Sequence, residues 1–125
     1  MTPEDKLQIS CIKWFRYQYP GLMKMLFAVP NGGKRESRIN QYGNRYSPEA
    51  QKLERMGVVA GVSDLILLTP RHGYGALCIE MKVGKGKQSL TQHEWELESI
   101  SAGNKYVICR SIDEFMCEVN QYLAP

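Results

Sequence analysis

Gly61-Val62-Ser63-Asp64-Leu65-Ile66-Leu67-Leu68-Thr69, then Pro70-Arg71-His72-Gly73-Tyr74-Gly75, then Ala76-Leu77-Cys78-Ile79-Glu80-Met81-Lys82: the fold turns on this stretch. Two apolar runs flank a turn-prone segment, which predicts a β-hairpin. Each run carries an acid at the same end of the hairpin, and the second adds Lys82 two residues after Glu80. Side chains alternate faces along a strand, so Glu80 and Lys82 point the same way. With His72 at the midpoint of the turn, Asp64 lies directly across from Glu80. Opposed carboxylates repel and weaken a sheet. A divalent cation between them is the expected remedy.

Outward from the hairpin, helix signals alternate with short apolar runs. Thr2-Pro3-Glu4-Asp5 opens a helix, with a capping hydroxyl, a first-turn proline and acids that suit the dipole. Its apolar stripe is Leu7, Cys11, Trp14 and Phe15, and it ends near Tyr19-Pro20-Gly21. Lys24 to Val29 predicts a short strand stopped by Pro30-Asn31-Gly32-Gly33. Lys34 to Tyr46 is polar, basic and interrupted by glycine, which predicts a long loop. Ser47-Pro48-Glu49 starts a second helix that Gly57 closes, and a strand is expected from Val58.

After the flexible basic link Gly84-Lys85-Gly86-Lys87, residues 89–102 predict a helix. Ser89 with Gln92, or Thr91 with Glu94, can form its capping box, and Gly103 ends it. Lys105 to Arg110 predicts a strand. Ser111 with Glu114 caps a last helix through Leu123, with Ile112, Phe115, Met116, Val119 and Tyr122 or Leu123 inward. The order α-β-loop-α-β-β-α-β-α predicts an α/β domain, a small mixed sheet flanked by helices.

Composition limits the rest. A chain of 125 residues with 43% hydrophobic and 23% charged residues suits one soluble globular domain. No apolar run approaches a membrane span and the start lacks a signal-peptide layout, so a cytoplasmic setting is expected. Cys11, Cys78, Cys109 and Cys117 lack C-x-x-C spacing and sit in apolar segments, which predicts buried free thiols rather than zinc ligands. Charge is uneven. Residues 31–87 hold ten Lys or Arg against five acids, whereas from residue 88 onward two bases face six acids. A basic region enclosing an acidic hairpin end suits a polyanion held beside a metal, although a solvated mixed-charge surface has the same composition.

Glu-x-Lys by itself arises by chance on the order of 0.4 times in a chain this size, so the spacing alone decides nothing. Here it ends an apolar strand, and Asp64 precedes the paired strand at a matching distance. Hard Mg²⁺ or Mn²⁺ prefers carboxylate, carbonyl and water oxygen, and Asp64, Glu80 and the Met81 carbonyl offer such donors. A cation there would acidify water and neutralise charge at a scissile phosphate, with Lys82 beside it. The rival is a structural Asp–Lys–Glu cluster in which Lys82 alone offsets the acids.

Four separated motifs, Gly61-Val62-Ser63-Asp64, Ile79-Glu80-Met81-Lys82, the Pro30-Asn31-Gly32-Gly33 turn and Gln92, resemble the VRR-NUC branch of the PD-(D/E)xK nucleases. Ser63 stands where the superfamily motif has proline. The resemblance covers nearly the whole chain and implies a restriction-endonuclease-like core. It implies Asp64, Glu80 and Met81 as metal ligands, Lys82 as the catalytic lysine, and Gln92 positioning phosphate or water, with helix capping as the alternative for Gln92. The family also carries a glutamate on its first helix. Glu4 is the best match, which implies a further metal ligand, and Asp5 is the alternative acid, while dipole complementation is the other role open to Glu4.

The resemblance implies a Mg²⁺- or Mn²⁺-dependent DNA endonuclease leaving 5′-phosphate and 3′-hydroxyl ends. Small stand-alone members resemble junction-resolving enzymes, which implies a homodimer acting on branched or structured DNA in replication, repair or mobile-element biology. An inactive nucleic-acid-binding module of the same fold is the alternative. Asn31, Lys34 and Arg35 can set N–H groups and cations against phosphates, or form a plain turn with solvated charges. Lys85 and Lys87 are expected on a nucleic-acid backbone. Trp14 and Phe15 are assigned to the core. Trp95 is expected partly exposed, and His72 and His93 make no catalytic pair.

Overall fold

The hairpin sets the frame. The computed structural model describes residues 1–30, 38–39 and 41–125. Strands β4 (Leu65–Leu67) and β5 (Leu77–Met81) run antiparallel, with Leu65, Ile66 and Leu67 opposite Ile79, Cys78 and Leu77. One step further in this register, Asp64 lies across from Glu80, as the apolar pattern demands. The tip is centred half a residue later than expected. Arg71 and Tyr74 exchange backbone bonds of 3.2 and 2.8 Å around His72 and Gly73, both at positive φ, which makes a type I′ turn. The irregular segment from Leu68 to Pro70, where the Thr69 amide turns back onto the Leu67 carbonyl, absorbs the offset.

Two further strands complete a mixed sheet of order β1-β4-β5-β6: β1 (Leu26–Ala28) lies antiparallel to β4, and β6 (Lys105–Cys109) lies parallel to β5. Helix α1 (Pro3–Gln18) and helix α4 (Ile112–Leu123) cover one face. Their Cys11, Phe15, Phe115, Val119 and Tyr122 meet Leu65, Leu67, Leu77, Ile79, Met81 and Cys109 in one buried cluster. Trp14 packs edge-on against Tyr19 and Phe115 at its margin. Between the two inward candidates near the last turn, Tyr122 is the fully buried one and its hydroxyl donates to the Thr69 carbonyl at 2.7 Å. Helix α3 (Leu90–Ser101) lies on the opposite face, where Ser99 contacts the Cys78 thiol.

Three expectations need correction. The segment read as a long loop contains a two-stranded ribbon, β2 (Arg38–Ile39) paired with β3 (Arg45–Tyr46). Strands this short carry too little alternation to be seen in sequence. No strand begins at Val58. Helix α2 (Pro48–Arg55) ends with Gly57 at φ +101°, the Gly57 amide on Glu54 and the Val58 amide on Leu53 at 2.9 Å, so a helix cap engages the amide a strand would need. Cys11, Cys78 and Cys109 are buried free thiols, but Cys117 is exposed on the outer side of α4. It sits between the inward positions Phe115 and Val119, where helical spacing faces solvent.

Candidate metal centre

The central strand β5 is buried along its whole length because both its faces are covered. Glu80 is therefore 1% exposed, an acid inside the protein. Its strand neighbours Ile79 and Met81 face the α1–α4 core, so Glu80 points to the α3 side together with Lys82. Asp64, one residue before β4, extends along the same face. Its carboxylate accepts the Met81 amide at 2.7 Å, while its own carbonyl accepts the Val29 amide at 2.9 Å. The Lys82 amide bonds to Cys109 on β6. Because amides alternate sides along a strand, the Met81 N–H and carbonyl both face the β4 edge, beside Asp64.

The loop before Asp64 is held by close packing. Gly61 has φ +85°, and a Cβ there would stand 2.3 Å from the Thr91 carbonyl oxygen. Only a residue without a side chain lets this loop rest on the start of α3. Ser63 is fully buried, and its hydroxyl donates to the Leu65 carbonyl at 3.0 Å, bracing the turn into β4.

Burial raises the proton affinity of Glu80, and the hydrogen bond and negative charge of Asp64 raise it further, to about 9. The Tyr106 hydroxyl and the Lys82 charge oppose this and are outweighed. Near neutral pH this favours a protonated Glu80 beside Asp64. The sequence reading named a divalent cation as the remedy for their repulsion; a proton also serves. The place where two carboxyls hold one proton is a place a hard cation can take over. Two carboxylates and a carbonyl, with water completing the shell, fit Mg²⁺ or Mn²⁺ chemistry. Among the described residues no third Asp, Glu, His or Cys converges with them.

Lys82 is half-buried and donates to the Gln92 side-chain oxygen at 3.1 Å. The same oxygen accepts the Ser89 amide at 2.8 Å, and the Ser89 hydroxyl accepts the Gln92 amide. Of the two roles open to Gln92 in sequence, capping is the one seen, and the capping oxygen also receives the Lys82 ammonium, a contact the sequence did not suggest. At the first helix Asp5 is taken up by the capping box with Thr2 and lies exposed. Glu4 is the partly buried acid. Its carboxylate and the Lys82 stem lie 3.9 and 3.7 Å from the spot where a Cβ on Gly86 would stand. Glu4 thus borders the lysine side of the site.

Lys85 and Lys87 are exposed on the link after β5. Arg110 clasps that link, donating to the carbonyls of Gly84 and Gly86 at 3.1 and 2.8 Å. Asn31, Lys34 and Arg35 lie outside the described residues. His72 stacks edge-on near Tyr122 at the turn and His93 pairs with Glu96 at 3.4 Å, so they remain apart. Trp95 is half-buried against Tyr106.

Sequence reasoning missed Tyr106, Gln88, Glu96 and Arg110. The Tyr106 hydroxyl donates to Glu80 at 3.2 Å and accepts from the Gln88 side-chain amide at 3.1 Å. That amide also donates to Glu96 at 3.0 Å. Burial is the main reason the Tyr106 phenol holds its proton more tightly than usual, and the Glu80 and Glu96 carboxyls add to it. A phenol in an otherwise apolar strand was the available signal, but which strand it would adjoin was not written in the local sequence.

No family model and no curated protein matches the chain. A solved structure described as a VRR_NUC domain protein does. It superposes with a TM-score of 0.75 at 28% identity, covering 98% of this chain and 89% of that one.

Proposed function

We propose, from the premise that this chain is a VRR-NUC domain of the nuclease type, that it is a metal-dependent endonuclease cutting DNA phosphodiester bonds. The observation that carries the reading is the Asp64–Glu80 carboxyl pair at the end of a strand, Glu80 buried and Asp64 half-buried, with Lys82 on the same face. A purely structural domain gains nothing from setting a second acid against a buried one.

Asp64, Glu80 and the Met81 carbonyl would hold Mg²⁺ or Mn²⁺, which when bound supplies Lewis acidity to a phosphate oxygen and lowers the pKa of water. Asp64 is oriented for this by the Met81 amide. Lys82, its ammonium steered by Gln92, places positive charge where the phosphorus gains negative charge during in-line attack. Glu4 and Gly86 line the approach beside it. Exposed Lys85 and Lys87 sit where a DNA backbone would pass, with recognition by phosphate and shape rather than by base edges. Asn31, Lys34 and Arg35, which lie outside the described residues, are added as candidate phosphate contacts on residue type alone.

The proposal includes a homodimer on branched DNA. Helix α3 supports it by leaving Leu90, Leu97 and Ile100 exposed at helical spacing. The deciding experiment is incubation of purified protein with supercoiled circles and four-way junctions, with Mg²⁺, Mn²⁺ or EDTA. Metal-dependent cleavage that Lys82→Ala abolishes while DNA binding persists supports the enzyme. Binding without cleavage by the wild type under every metal condition refutes it in favour of a binding module.

A further inference from the structure

We infer that Tyr106, locked by Gln88 and Glu96 into donating its hydroxyl proton to Glu80, is a positioning residue that readies Glu80 as a metal ligand. The inference rests on the metal-site reading above.

The direction of each hydrogen bond follows from the partner furthest from the site. Glu96 as a carboxylate can only accept, so the Gln88 side chain must present its NH₂ group to it, at 3.0 Å. The same nitrogen reaches the Tyr106 oxygen at 3.1 Å, so Gln88 donates there too. A phenol has one proton. With its oxygen receiving from Gln88, that proton is directed at the remaining neighbour, the second carboxyl oxygen of Glu80, at 3.2 Å. Flipping the Gln88 amide would set its carbonyl against the Glu96 carboxylate. The chain therefore runs one way, from α3 through the link after β5 to the sheet.

The fold builds this chain from parts with no other shared task. Tyr106 stands opposite Cys78 in the parallel β5–β6 register, which puts it on the same face as Glu80, two residues along. Trp95 of α3 lies against its ring, with centroids 6.1 Å apart, and limits its swing. A donor fixed on one oxygen of Glu80 holds the plane of its carboxyl group and leaves the other oxygen for a cation, as outer-shell partners of metal ligands do.

Mn²⁺ binding read by calorimetry and by loss of the free-ion electron spin resonance signal tests this without turnover. Tyr106→Phe removes the donor, and Gln88→Met removes the constraint without touching Glu80. Both variants should bind Mn²⁺ about 10-fold or more weakly, the usual effect of losing such a partner, while their melting in EDTA stays near the wild type. Wild-type affinity in either variant overturns the relay. If Tyr106→Phe does not fold, the part-exposed Gln88→Met still decides the matter. Absence in the wild type of saturable Mn²⁺ binding that Asp64→Ala removes would instead sink the metal-site reading, and the relay with it.

Discussion

The Lys82 ammonium and the Gln92 side-chain oxygen are hydrogen-bonded at 3.1 Å, and the oxygen is the one that closes the capping box of α3 through the Ser89 amide. One atom therefore serves the helix start and the lysine at the site. The arrangement makes the position of Lys82 depend on α3 being formed and correctly capped.

Capping and site roles separate by mutation. Ser89→Ala and Gln92→Ala should each cost about 1 kcal/mol of stability, the ordinary value of a cap. Only Gln92→Ala should also lower cleavage beyond what stability explains, because only it frees the ammonium. Lys82→Ala should reduce the cleavage rate by ~10²-fold or more with DNA binding retained in a mobility-shift assay.

Glu80 gives a pH signature to the metal-free protein. Its proton affinity is raised in the fold, from an ordinary 4.5 to about 9. Between these values the folded chain keeps a proton that the unfolded chain has released. Unfolding then loses protons, so stability is greatest at the acid end and falls as pH rises through the window. Melting in EDTA should drop from pH 5 to pH 8, and Glu80→Gln should flatten that slope. A flat wild-type profile would remove the proton from between the acids.

Above about pH 9, where Glu80 has given up its proton and faces Asp64 as a second charge, Asp64→Asn removes that repulsion and keeps an oxygen to accept the Met81 amide. There its metal-free form should melt a few degrees higher, a gain on the order of 1 kcal/mol. It should lose the rise in melting temperature that Mn²⁺ gives the wild type by mass action. Lower metal-free stability would count against the carboxyl pair as described.

Gly61→Ala would push a Cβ to 2.3 Å from the Thr91 carbonyl oxygen at a φ of +85°. Backbone must move at both the loop before Asp64 and the start of α3, so a loss of about 2 kcal/mol or more is expected in urea unfolding. Metal affinity should fall with it, since the loop carries Asp64.

Replacing exposed Lys85 and Lys87 together by alanine should leave melting unchanged and weaken binding to all DNA sequences alike. The slope of log affinity against log salt should shrink by about 1 to 2, as expected for lost phosphate contacts. An unchanged slope would take these lysines off the DNA path.

The local sequence determined the hairpin, its register and the ends of most helices, because alternation, caps and turn residues act between near neighbours in the chain. From these follow the meeting of Asp64 with Glu80 and the shared face of Glu80 and Lys82. The apolar pattern also fixed which side of α1 and α4 faces the core. What it could not determine was the company these residues keep across the sheet. Tyr106 reaches Glu80 only because β6 lies parallel to β5, joined by a helix that crosses one face. Gln88 and Glu96 meet it only because that helix starts over the site. Such contacts join residues distant in sequence, and their strength comes from exclusion of water, which arises only when the layers close. The protonation of Glu80 belongs to the same class: a glutamate in a five-residue strand is ordinary until both faces of that strand are covered.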